Sequence, residues 1–145
     1  MNLLLSYAQS FIGSPYRWGG ETPLGGFDCS GLVQEILRSV GMDPVGDQTA
    51  QTLFNHFLIQ GTRSSLGEPG ALLFFGSSDR SITHVTMALN EHQMIEAGGG
   101  NSSTTSAIRA IEQKAFVRIR PISNRRDLVS VLMPNYPKWV HDGHT

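Results

Sequence analysis

Leu4, Leu5, Ala8, Phe11 and Ile12 recur at the spacing of one helical face behind Asn2, a candidate N-cap, and Gly13 can end that helix. Residues 14–26 break the pattern. They are rich in Gly and Pro, read as loop, and carry Tyr16, Arg17 and Trp18. A second stripe follows at Leu32, Val33, Ile36, Leu37 and Val40, again with helical spacing, and stops at Gly41. Residues 43–47 read as a turn. Ala50, Leu53, Phe54, Phe57 and Leu58 mark a third helix, closed by Gly61.

Beyond Pro69-Gly70 the pattern changes to that of strands. Residues 71–75 form a short apolar run, and Val85, Met87 and Leu89 alternate with polar or small neighbours after a polar loop. Asn90-Glu91 suits a hairpin turn, which makes residues 93–97 the returning strand. Residues 98–106 read as a flexible polar loop. Residues 116–122 form another candidate strand, with Arg118 and Arg120 on one side and Val117 and Ile119 on the other. From Asn124 onward the pattern is ambiguous, and the role of residues 123–145 is open. Helices first and strands afterwards predict an α+β fold, with N-terminal helices packed on one side of an antiparallel sheet. With neither repeats nor a linker, residues 1–145 are expected to form one domain.

Composition narrows the partners. The 145 residues are 39% apolar and 16% charged, with a net charge near −1, so nothing draws the chain to nucleic acid or an anionic membrane. A single cysteine excludes an internal disulfide and a multi-cysteine zinc site. Met1-Asn2-Leu3-Leu4-Leu5 is apolar, but it lacks a basic flank and is interrupted by Ser6, Gln9 and Ser10. Neither a signal peptide nor a membrane insertion is expected from it. The chain is then cytoplasmic, exported without a cleaved signal, or the mature part of a longer protein.

The cysteine itself, Cys29, stands where the second helix begins, on that helix's apolar stripe. Unpaired N–H groups and the positive end of the helix dipole favour a thiolate there. A cysteine on an apolar stripe can equally be a small hydrophobe. A nucleophile needs a histidine base and the base a polar orienter. His141 and His144 lie in a polar tail, His56 lies off its helix's stripe, and His92 lies in a turn, so all four read as solvated. His84 opens the strand before Val85, at the boundary of water and core, where it suits either catalysis or a structural hydrogen bond. Glu96 is the one acid within the apolar segment 94–97, and once buried it needs a partner. Either His84, through Nδ1–H, or Arg118 or Arg120 can supply it; alternatively the strand is an exposed edge. His84, Glu91, His92 and Glu96 lack a metal-ligand spacing, so no metal and no other cofactor is expected.

The run Gly13-Ser14-Pro15-Tyr16-Arg17-Trp18-Gly19-Gly20 followed by Gly26-Phe27-Asp28-Cys29-Ser30-Gly31-Leu32-Val33 closely resembles the catalytic core of the NlpC-type bacterial cell-wall peptidases. Gln48-Thr49-Ala50-Gln51, the segment from Pro69 to Gly76 and Thr83-His84-Val85-Thr86-Met87-Ala88-Leu89 continue the resemblance in order, which spans about residues 3–122. It implies a papain-like fold and hydrolysis of peptidoglycan stem peptides, typically at the γ-D-glutamyl–diaminopimelate bond. Carried over residue by residue, Cys29 is the nucleophile and His84 the base. The third triad position falls on Glu96, where the family most often has a second histidine. Tyr16 is placed near the oxyanion, and Asp28, Ser30 and Trp18 beside the substrate, with Asp28 suited to a free amino terminus. The alternatives are an amidase cutting the muramoyl–L-alanine bond, or a weakly active or inactive wall-docking module. A phage-borne version of either protein would meet other phage tail proteins.

Overall fold

The protein is described by a computed structural model covering residues 1–22 and 25–141. Helix α1 (Asn2–Gln9) buries Leu4 and Ala8, and its N-cap is Met1 rather than Asn2, without a side-chain cap bond. The chain leaves the helix at Ser10, so Ile12 stays exposed, while Phe11 turns in edge-on against Phe27 with ring centres 5.2 Å apart. The expected loop contains a small hairpin, β1 (Glu21–Thr22) with β2 (Gly26–Phe27). Helix α2 (Cys29–Arg38) follows directly and is buried from Ser30 to Leu37. Helix α3 (Ala50–Ile59) starts in a reciprocal capping box between Thr49 and Thr52. It buries Ala50, Leu53, Phe54 and Phe57, and leaves Leu58 exposed.

The remaining chain builds an antiparallel sheet. Its strands are β3 (Gly61–Arg63), β4 (Leu72–Ser78), β5 (Ser81–Ala88), β6 (Gln93–Gly98), β7 (Phe116–Pro121) and β8 (Leu128–Pro134), in the spatial order β3-β8-β4-β5-β6-β7. Helix α4 (Ala107–Gln113) precedes β7, a 3₁₀ turn at Ile122–Asn124 follows it, and a short helix α5 (Lys138–His141) comes after β8. Consecutive residues of a strand face opposite sides, so the burial of Leu72, Leu73, Phe74 and Phe75 means that both faces of β4 are covered. Helices α2 and α3 pack on the sheet, α3 through Phe54, edge-on to Phe74 at 5.2 Å.

Three expectations are corrected. Strand β5 begins at Ser81, not Val85, because the supposed polar loop is the tip of a β4–β5 hairpin with a bulge at Gly76. A Cβ at Gly76 would lie 2.0 Å from the Ser81 carbonyl oxygen, so the bulge requires glycine. The ambiguous segment after Asn124 supplies β8, inserted between β3 and β4. The expected loop over 98–106 loses only Gly98, which ends β6, and residues 107–113, to which the sequence assigns no element, form α4; α4 buries only Ala110 and exposes Ile108 and Ile111, so it shows no inward stripe. Among the described residues, no helix is long and apolar enough to cross a membrane.

Candidate active site

Asp28 caps α2 in the way its sequence position demands. Its carboxylate accepts from the Gly31 N–H at 2.7 Å and the Ser30 hydroxyl at 3.2 Å, and its other oxygen from the Gly19 N–H at 3.1 Å. These bonds tie the Gly19-Gly20 loop to the helix start and hold Cys29 in the first turn, half-buried and unpaired. A carboxylate has about four acceptor positions. Asp28 therefore spends most of its capacity on this scaffold and little on a ligand. Burial raises its pKa, and the three donors oppose that rise while the Asp47 charge adds to it.

His84 lies within β5 as its fourth residue, buried, rather than at the strand's opening. Strands β5 and β6 pair only at Met87–Ile95 and Ala88–Met94, and beyond that ladder the imidazole reaches the neighbouring strand's Glu96. His84 Nε2 is 3.1 Å from Glu96 Oε1. That corrects the expected nitrogen: Nε2 faces the carboxylate, leaving Nδ1 for Cys29. Burial disfavours the charged imidazole, but hydrogen bonds to Cys29 and Glu96 and their negative charges outweigh it, raising its pKa to about 9.

Glu96 is 2% exposed and answers both of the alternatives its sequence left open. Its Oε1 meets His84, and its Oε2 lies 3.4 Å from Arg120 Nη1 and 3.7 Å from Arg118 Nε. The β6–β7 register places Arg118 directly opposite Glu96 and Arg120 opposite Met94, on the same face of the sheet. Burial pushes the carboxyl up, yet the hydrogen bond and charge of His84 and the two guanidinium groups hold it below the usual carboxylate range.

Two adjoining cavities of about 310 Å³ each share Tyr16, Trp18, Cys29 and Thr83, so the thiol lies where they meet. One extends over His84, Glu96, Arg120 and Arg125 to residues 98–101; the other runs past Asp28 and Ser30 to Asp47, Gln48 and Thr49. Tyr16 is buried, bridged to Phe27, and hydrogen-bonded through its N–H to the Ala115 carbonyl. Its ring packs against Gly100, where a Cβ would come within 2.1 Å. Burial, then the Cys29 and Asp28 charges, raise its phenol's pKa. Trp18 is exposed at the rim and Ser30 is buried beneath the cap.

All seven residues singled out in the sequence thus line these two cavities. Asp47, Arg120 and Arg125 were not singled out. Arg120 was noted only as a partner for Glu96, and Arg125 comes from the segment without a readable pattern. His56 is half-buried against Phe57, His92 and His141 are exposed, and His144 lies outside the described residues. Among the described residues, no three His, Cys, Asp or Glu side chains gather as a metal site. The arrangement can generate an imidazolium–thiolate pair at the junction of an acidic half-cleft and one that holds two arginines beside Glu96.

The bifunctional muramidase/DL-endopeptidase CwlT of Bacillus subtilis is 33% identical over 96 residues, covering 65% of this chain and 28% of that protein. The murein DD-endopeptidase MepH of Escherichia coli is 29% identical over 120 residues, covering 81% and 44%. The chain therefore spans less than half the length of these relatives. The crystal structure of the NlpC/p60 domain of peptidoglycan hydrolase SagA superposes with a TM-score of 0.64 at 27% identity, over 89% of this chain and 94% of that one. The fold is accordingly papain-like, as the resemblance implied. The model of the NlpC/P60 family matches residues 13–121, most of the chain and every residue of the cleft except Arg125, and the chain belongs to that family.

Proposed function

We propose that the chain is a cysteine endopeptidase that hydrolyses peptidoglycan stem peptides at the γ-D-glutamyl–diaminopimelate bond, with Cys29, His84 and Glu96 as its triad. The observation that carries this reading is the buried Glu96–His84 contact, aligned behind the thiol at the centre of a cleft. The peptidoglycan endopeptidase activities named for its relatives support the same class.

The Cys29 thiolate attacks the scissile carbonyl carbon. The Cys29 N–H, in the unpaired first turn of α2, and Tyr16 stabilise the oxyanion. The C–N bond breaks as His84 Nδ1 gives its proton to the leaving amine, and the acyl group remains as a thioester. His84 then takes a proton from water, which releases the acid and restores the thiolate. Glu96 keeps the imidazole oriented and offsets its charge.

Digestion of purified peptidoglycan, with products identified by mass spectrometry, tests the bond. Peptides beginning with diaminopimelate are expected in solution, with L-Ala–D-Glu left attached to the glycan. Intact stem peptides freed from glycan would instead make the chain a muramoyl–L-alanine amidase. Cys29→Ala is expected to lower turnover at least about a thousandfold, as loss of a nucleophile does. Equal hydrolysis by both proteins would remove the cysteine mechanism, and hydrolysis by neither would leave a wall-docking module.

A further inference from the structure

The two halves of the cleft differ in charge, and the half that holds both arginines also holds the Glu96 carboxylate. On one side of Cys29 lie Asp28 and Asp47; on the other lie Arg120 and Arg125, beyond His84. Arg120 is committed to Glu96 through Nη1. Arg125 is held differently. Its Nε and Nη2 donate to the two carboxylate oxygens of Asp127 at 2.9 and 2.7 Å, a bidentate pair that fixes the guanidinium plane. Its guanidinium carbon sits 5.0 Å from the Phe75 ring centre, and the Phe75 ring leans on His84 at 5.9 Å. Among the described residues, Arg125 Nη1 has no acceptor, and Arg125 lines the cavity that also contains Cys29 and His84. A rigid cation with an unspent N–H pair, backed by Phe75 in the half-cleft that holds His84, suits a carboxylate.

The chemistry decides which part of the substrate brings it. His84 delivers its proton to the leaving amine, so the amine-bearing product occupies the His84 side of the thiol. We propose that Arg125 is a specificity-determining residue that receives a carboxylate of the amino acid on the leaving side of the scissile bond. The cleft then favours a leaving residue with an unmodified acid group over the same residue with its acids amidated. This inference rests on the peptidase reading for the direction of the substrate.

The test uses L-alanyl-γ-D-glutamyl-meso-diaminopimelate and the same peptide with both diaminopimelate carboxyls converted to amides. Binding is measured by calorimetry on the Cys29→Ala protein, and cleavage on the active one. The acid peptide is expected to bind about tenfold more tightly and to be cut with a correspondingly higher kcat/KM, the worth of one charge-assisted hydrogen bond. Arg125→Ala should erase that difference by weakening only the acid peptide, and Arg125→Lys should restore part of it. Equal binding of the two peptides to the Cys29→Ala protein overturns the inference without recourse to any Arg125 variant. So does an Arg125→Ala variant that weakens both alike, the signature of a merely structural Arg125–Asp127 staple. Preferential binding with cleavage of neither peptide would retire the peptidase reading and keep the carboxylate site. Cleavage without preference would do the reverse.

Discussion

Glu96 concentrates the electrostatics of the site in one side chain. A carboxylate with 2% exposure is costly unless its charge is met, and here His84, Arg120 and Arg118 meet it on both oxygens. The consequence for pH has opposite signs at the two partners. The His84 pKa rises from 6.5 to about 9 in the folded protein, so its proton contributes stability fully below pH 6.5, and that contribution is lost as pH climbs through 9. The carboxyl of Glu96 is lowered from 4.5, so its contribution is present above pH 4.5 and is lost as pH falls through the depressed value. With His84 protonated in the resting pair, kcat/KM should fall on the alkaline side near pH 9. Glu96→Gln removes the negative charge that favours the imidazolium and should move that limb to lower pH, in addition to slowing turnover. A pH–rate profile with an unmoved limb would separate Glu96 from the tuning of His84. The apolar surroundings of Glu96 revealed it in the sequence. Which imidazole nitrogen it meets depends on the diagonal placement of two strands, and no residue spacing encodes that.

The element that organises the cleft is the first turn of α2, and its glycine shows how local and tertiary demands part. Within a helix, Gly→Ala ordinarily stabilises by about 1 kcal/mol. At Gly31 the expected sign is reversed, because a Cβ would lie 1.9 Å from the Gly20 carbonyl oxygen and 2.9 Å from Asp28 Oδ1. Gly31→Ala should destabilise by about 1–3 kcal/mol, the usual cost of overpacking, as measured by chemical denaturation. Unchanged or increased stability would mean that the loop from Gly19 to Gly20 gives way freely. The helix itself was legible from its stripe and from Asp28 before Cys29. The close approach that requires Gly31 was not, since Gly20 is brought there by the fold. Likewise Gln34 was only a polar residue in the sequence. In the fold it is buried and bonds to Asp43, the Gly46 carbonyl and the Gln48 N–H, holding the turn that carries Asp47 to the acidic half-cleft.

At the scale of the molecule, the sheet depends on a strand from beyond the recognisable motifs. Strand β8 joins β3 to β4, buries Val131, Leu132 and Met133, and precedes Tyr136, whose hydroxyl donates to the Gly70 carbonyl at 2.8 Å. Ending the chain after Arg126 would strip one side of β4 and leave β3 without its partner. That truncated protein should lose its cooperative thermal transition, read by circular dichroism, despite retaining Cys29, His84 and Glu96. A truncated protein that still melted cooperatively would show that β8 is dispensable. The sequence by itself determined helices α1 to α3, strands β4 to β7 in outline, and Tyr16, Asp28, Cys29, His84 and Glu96 as candidates, because periodicity, capping and motif spacing are local properties of the chain. Only the tertiary structure decided that Nε2 of His84 faces Glu96, that two arginines clamp that carboxylate, and that Asp47 and Arg125 stand at opposite ends of the cleft. Those relations arise from register and packing between segments far apart in the chain, where spacing along the sequence carries no distance.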